Sequence, residues 1–197
     1  MRSRTNDTVS VRAVHAHSAT LIQTHLEIRD HGHKCRASVL IEILLFAAAR
    51  MRSIFDACGR LRDAPSDQAV RNALVAMLPE MNTLERRINA GLSAELPRWL
   101  TKRPQRLAVD LTLIPYHGEP YRDSREIYRS KPKSGTTHFH AYASCYVIEH
   151  GQRFTLAIRW VAKDEPLKET LKQLLKQVRS LGVSVRFLLL DREFYSV

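Results

Sequence analysis

Cysteine is scarce. Cys35, Cys58 and Cys145 are the only three in 197 residues, too few and too scattered for a disulfide framework, and they read as reduced thiols. A long apolar run is missing as well. The most apolar stretch, Val39 to Ala49, contains Glu42 and stops at Arg50, short of the ~20 residues that a spanning helix needs. No apolar segment follows the arginines of MRSRTNDTVSVRAVHAHS, so no export signal is visible. Together these absences read as a soluble, cytoplasmic protein without a membrane partner. Acidic residues are also short, 20 against 31 Lys+Arg, leaving a formal charge of +11. With 44% hydrophobic residues the chain is no disordered polycation, and it has material for one core or two small ones. A basic excess on a folded chain points to a polyanion, most often nucleic acid.

The charge is unevenly placed. Residues 1–100 hold 14 basic and 10 acidic side chains, residues 101–197 hold 17 and 10. Hydrophobic periodicity changes near the same point, which predicts a boundary between Pro97 and Pro104. The expected organisation is a basic, His-rich mobile arm over 1–37, an all-helical, DNA-binding region over 38–104 and an α/β domain over 105–197. Within the arm, His15, His17, His25, His31, His33 and Cys35 lack the tight paired spacing of structural zinc sites. Val39 to Cys58 reads as one buried helix closed by Gly59. Ser66 is the expected N-cap of a second, carried by Val70, Ala73, Leu74, Met77 and Leu78 to Pro79. Met81, Leu84, Ile88 and Leu92 continue a stripe before Pro97. This set fits a helix-turn-helix module and fits equally a bundle that packs on its neighbour. Arg71, the lone base on the outer face of the second helix, is the candidate DNA contact there.

Beyond the boundary the pattern is that of strands. RLAVDLTLIP, 106–115, is a short run with β-branched residues and a proline stop. Residues 116–136 are polar and basic, with Arg122, Arg125, Arg129, Lys131 and Lys133 as candidate contacts to a nucleic-acid backbone. THFHAYASCYVIE, 137–149, alternates; His150-Gly151 signals a turn, and RFTLAIRWV, 153–161, alternates again, predicting a hairpin. Leu167, Leu171, Leu174, Leu175, Val178 and Leu181 then form a helical stripe ended by Gly182, with Lys168, Lys172 and Lys176 on the solvated side. VSVRFLLLDREFYSV opens with the apolar run of a buried strand. The order strand, strand, strand, helix, strand predicts a mixed sheet whose last strand returns parallel to an earlier one.

Two aspartates stand where a core would not choose them. Asp110 lies inside AVDLTLI and Asp191 follows FLLL. Aspartate is a poor strand former, and a carboxylate in apolar surroundings is costly unless paired, hydrogen-bonded or bound to metal. Either alone would pass as a strand-end turn residue. If the first and fourth strands are parallel neighbours, however, the two lie side by side near the strands' carboxyl ends. All-oxygen ligation of that kind suits Mg2+ or Mn2+. Metal ions so held activate water or a 3′-hydroxyl and stabilise the leaving oxygen of a phosphodiester.

AVDLTLIPYHGEP, SGTTHFHAYASCYV and FLLLDREFYS resemble segments of the DDE transposases of insertion sequences, in the group with a transposase-4-like, ribonuclease-H-like catalytic domain. The resemblance covers most of residues 36–197, including LFAAARMRSIFDACGRL and LERRINAGLSAELPRWL. It implies an α/β protein in which a helical region precedes a ribonuclease-H-like domain. The implied reaction is Mg2+- or Mn2+-dependent hydrolysis and strand transfer at transposon ends, with double-stranded DNA as partner. Asp110 matches the first catalytic, metal-binding acid and Asp191 the second. Arg192, a further candidate nucleic-acid contact, and Tyr195 match the run after the second acid, where Glu193 replaces a small residue. Tyr116, His117, Gly118, Gly135 and Thr136 match loop positions typical of the family. The family's third acid, a glutamate on a later helix, is absent from a chain that reaches Val197 six residues after Asp191. The expectation is therefore a C-terminally truncated catalytic domain with little or no strand transfer on its own; self-association is left open.

A different class of function stands beside this one: a non-catalytic DNA-binding protein that inhibits or regulates the full-length transposase. A stand-alone nuclease of the same superfamily meets the same missing acid. A basic RNA-binding protein leaves both aspartates unexplained.

Overall fold

The computed structural model describes residues 9–119, 124–149 and 151–195. The chain forms two compact units, 1–80 and 81–197, so the division falls earlier than the Pro97–Pro104 stretch.

The first unit is helical: α1 (Val11–Leu26), α2 (Ala37–Arg50), α3 (Ile54–Arg60) and α4 (Asp67–Met77). Much of the segment expected as a mobile arm is α1. Ser10 caps it by accepting the Ala13 N–H at 3.1 Å, and Ala19, Ile22 and Leu26 lie at helical spacing against the core. That core is built on Ile28, Leu40, Ile41, Ile43, Val70 and Ala73. The single helix expected over 39–58 is two. Met51 adopts the left-handed conformation (φ 51°), and the Arg52 N–H closes on the Ala47 carbonyl at 2.8 Å. Ser53 then caps α3 through the Asp56 N–H, and Gly59 lies inside α3 rather than beyond it. Ser66 caps α4 as its sequence suggests, accepting from Ala69.

The second unit is mixed α/β, with α5 (Met81–Ser93), α6 (Trp99–Lys102), β1 (Gln105–Pro115), β2 (Tyr128–Lys133), β3 (Thr136–Glu149), β4 (Gln152–Val161), α7 (Leu167–Ser180) and β5 (Val185–Leu190). Short 3-10 turns occupy Ser124–Glu126 and Arg192–Phe194. β3 is the hub of the five-stranded sheet. It pairs antiparallel with β1 on one edge; β2 and β4 follow one another along the other. β5 joins β1 in parallel, as expected for a strand returning through a helix. β2 was not expected from its basic, proline-bearing sequence. It forms because Ser134 and Gly135 both take positive φ (54° and 77°), the conformation a two-residue hairpin demands.

α7 lays Leu174 and Val178 on one face of the sheet, against Leu107, Val109 and Leu111 of β1 and Ala141, Ala143, Cys145 and Val147 of β3. Burial there pushes the Cys145 thiol up to about 12, which makes it inert. β5 departs from the buried strand that FLLL suggests. Leu188 and Leu190 pack on the core, while Phe187 and Leu189 are 53% and 65% exposed on the opposite face.

The outer edge of β4 is closed by side chains of α5. Asn89 donates to the Ile158 carbonyl and accepts the Ile158 N–H, both at 2.8 Å, and Glu85 accepts the Trp160 N–H at 2.8 Å. These bonds satisfy backbone groups that an open edge would offer to another strand. Arg159 ties the region together, reaching Glu85 at 3.3 Å and Glu165 at 3.0 and 3.2 Å, while buried Thr170 of α7 donates to Glu165. Burial raises the Glu85 pKa, outweighing the Trp160 N–H and the Arg159 guanidinium. A raised carboxyl pKa stabilises the fold fully below its ordinary value of 4.5, and the contribution is lost as pH rises through the raised value. Urea unfolding of wild type and Glu85→Gln across this range checks the sign. Relative to the Gln variant, the wild type gains stability on acidification; a gap independent of pH contradicts the assignment.

Candidate acidic site on the open face of the sheet

Alternation along β1 sends Leu107, Val109 and Leu111 to the core and Arg106, Ala108, Asp110 and Thr112 to the other face. The parallel register pairs Arg106 with Phe187, Ala108 with Leu189 and Val109 with Leu190. The next step along both strands is Asp110 beside Asp191. The ladder reaches this point, because the Asp191 N–H donates to the Val109 carbonyl at 3.1 Å. Neighbouring strands lie ~4.8 Å apart, so two carboxylates from distant parts of the sequence become lateral neighbours on one face.

The two acids differ in their local roles. Asp191 is the N-cap of the Arg192–Phe194 turn and accepts the Arg192 N–H, a sufficient structural use for an aspartate at a strand end. Asp110 sits in mid-strand, where no cap or turn uses it, directly opposite Ser144 of β3. Both are half-buried. Their oxygens suit a hard divalent cation, and Asp110 and Asp191 are the residues that would hold one. Among the described residues, no group of three or more His, Cys, Asp or Glu side chains gathers for a metal ion. That statement covers His15, His17, His25, His31, His33 and Cys35 too; His31 and Cys35 meet only through a backbone bridge.

The basic candidates fall into separate places. Arg129, Lys131 and Lys133 are exposed on β2, with Arg129 opposite His138 and Lys133 opposite Thr136. His138 shares the open face with Ser144, six residues further along β3, so this hairpin lies ~20 Å along the strand from the acid pair rather than beside it. Arg125 is in the preceding 3-10 turn, which is held by the Lys163 N–H on its carbonyl at 2.8 Å. Arg122 lies outside the described residues. Arg192 is exposed immediately after Asp191, and Glu193 beside it adds to the burial that raises the Tyr128 pKa. Arg71 belongs to the other unit, on α4, exposed and ion-paired with Asp67 at 3.3 Å.

Several loop positions have direct structural uses. Thr136 donates to the Tyr116 carbonyl at 2.9 Å, Tyr116 stands edge-on to His140 with centroids 5.0 Å apart, and Gly135 is the hairpin turn. Sequence reasoning missed Ser144, which sits beside Asp110, and Arg153, which reaches Ser144 from β4; in the sequence both are ordinary polar positions of alternating strands. Comparison with protein-family models, curated proteins and solved structures finds no match to this chain.

Like charges side by side on neighbouring strands destabilise a sheet. Replacing Asp110 by Asn keeps shape and polarity while removing the repulsion, so Asp110→Asn stabilises the metal-free protein by about 0.5 kcal/mol in urea unfolding. A loss of stability instead would assign Asp110 a structural role.

Proposed function

We propose that this chain is a DNA-processing protein of the DDE transposase type, with a ribonuclease-H-like arrangement of its second unit. The observation that carries the reading is the parallel register that sets Asp110 beside Asp191 on the open face. Sheet order supports it: β4, β3, β1 and β5 run side by side, antiparallel except for the last pair, with a helix before the parallel return. Asp191 follows the carboxyl end of β5, the end of a parallel strand where open α/β sheets place their sites, and Asp110 lies level with it in the middle of β1.

On this reading Asp110 and Asp191 hold Mg2+ or Mn2+, which supplies activation of a water or 3′-hydroxyl and stabilisation of the leaving oxygen. The protein's own residues orient and bind. Asp191, fixed as an N-cap, holds its carboxylate at the end of β5; β1, paired on both edges, holds Asp110 rigidly. Arg129, Lys131 and Lys133 supply positive charge along the β2–β3 hairpin, Arg122 and Arg125 extend it in sequence, and Arg192 adds charge next to Asp191. The hairpin's distance from the acid pair corresponds to ~6 base pairs of duplex, so one DNA segment spans both. The helical first unit, with Arg71 beside exposed Gln68 and Asn72 on α4, is a second DNA contact.

Two measurements test this. In a salt titration of duplex DNA binding, replacing Arg129, Lys131 and Lys133 together by Ala lowers the slope of log affinity against log salt by about 2–3. An unchanged slope removes the hairpin from the DNA path. In Mn2+, plasmid nicking above the metal-free background, weak or strong, disappears in both Asp110→Asn and Asp191→Asn. Nicking that survives both substitutions contradicts the acid-pair assignment. DNA binding with no metal dependence at all favours the non-catalytic, regulatory reading.

A further inference from the structure

Arg153 stands on β4 opposite Ile148 of β3, on the same face as Asp110. The residue is exposed, but its guanidinium lies back along the open face of the sheet. The guanidinium carbon lies 3.7 Å from the centroid of the Tyr146 ring, and Nη2 donates to Ser144 Oγ at 3.1 Å. Ser144 is the cross-strand partner of Asp110, and such partners have Cβ atoms ~5 Å apart. The guanidinium is thus fixed one hydroxyl away from the first acid, on the side away from β5.

The contrast with Arg159 on the same strand is informative. Arg159 is consumed by two carboxylates, Glu85 and Glu165. Arg153 is held instead by an aromatic ring and a hydroxyl, which orient the guanidinium without neutralising its charge. Of five N–H donors, Ser144 engages one group, and the remaining planar fork matches two oxygens of a phosphate. Stacking on Tyr146 also removes in advance the rotamer freedom that an unstacked arginine would lose on binding.

We propose that Arg153, positioned by Tyr146 and Ser144, binds a phosphate oxygen of the DNA strand that crosses the acid pair. The inference deepens the DNA-processing reading and rests on it. The acids on β1 and β5 give the site a negative side, and a phosphodiester approaching them is repelled unless positive charge meets it. Arg153 supplies that charge permanently from the β3–β4 side. It also sets the strand's direction across the sheet, with the phosphate between β1 and β4.

The test uses the whole chain and a fluorescein-labelled DNA duplex, followed by anisotropy in Ca2+, which substitutes for Mg2+ without supporting cleavage, and in EDTA. Thermal melting confirms that each variant is folded. In Ca2+, Arg153→Gln weakens binding about tenfold, the scale of one lost charge-assisted hydrogen bond. It also lowers the salt slope by about one. Arg153→Lys restores the slope but only part of the affinity, because an ammonium keeps the charge and loses the fork. Ser144→Ala, which frees the guanidinium, weakens binding by less than Arg153→Gln. A merely structural Arg153 shifts the melting temperature and leaves affinity and slope at wild-type values, and that result overturns the inference. Loss of the Ca2+-dependent increment in Asp110→Asn separates the two claims. If wild type shows no such increment, the acid-pair reading fails, and the EDTA salt slope of Arg153→Gln alone decides whether Arg153 contacts phosphate.

Discussion

The parallel pairing of β1 with β5 is the constraint on which the rest of the second unit depends. Without it, Asp110 and Asp191 are two unrelated polar residues in apolar strands. Parallel strands require a crossover, and here α7 is its last element, leading from β4 into β5 with Leu174 and Val178 buried in the core of the sheet. The hydrophobic stripe of α7 therefore does two things. It fills the core, and it carries the chain from β4 to β5, the strand whose register beside β1 makes the aspartates neighbours. A slip of one residue in β5 would turn Asp191 to the core face and leave Asp110 alone.

The two faces and edges of the sheet are treated differently, and the candidate acidic site lies on the face that is left open. The core face is covered by α7. The β4 edge is closed by Asn89 and Glu85, and Arg159, Glu165 and Thr170 lock that corner to α7. The opposite face keeps Arg106, Asp110, Ser144 and Tyr146 together with exposed Phe187 and Leu189. Rigid packing on one side thus presents a polar, accessible surface on the other. A charged ligand is bound with least reorganisation on such a surface, because the strands that carry its contacts are held from behind.

Much of this architecture is legible in the sequence, for physical reasons. Alternation in 137–149 and 153–161 and the leucine stripe of α7 are direct images of period 2 and period 3.6, and the strands and helix fall where those periods place them. The acid pair is legible because aspartate in an apolar strand is costly. Other features leave weaker marks. A methionine in the left-handed region has no sequence signature, so the break at Met51 is missed when 39–58 is read as one helix, although Ser53 supplies a cap for the second. β2 has no alternation of its own and exists through its turn and its pairing with β3. FLLL reads as buried on both faces, whereas only one of its faces has a cover among the described residues. Arg153 is invisible for a different reason: its meaning comes from Ser144 and, through it, Asp110, a contact made only when three strands assemble.

The central claim is that Asp110 and Asp191 act as one divalent-metal site. Mn2+ binding followed by electron paramagnetic resonance tests it most directly, on wild type, Asp110→Asn, Asp191→Asn and the double variant. Two carboxylates sharing one ion form a unit, so each single substitution removes nearly all the bound Mn2+ and the double variant loses no more. Equal binding by all four proteins, or independent and additive losses, would show that the two aspartates do not share an ion.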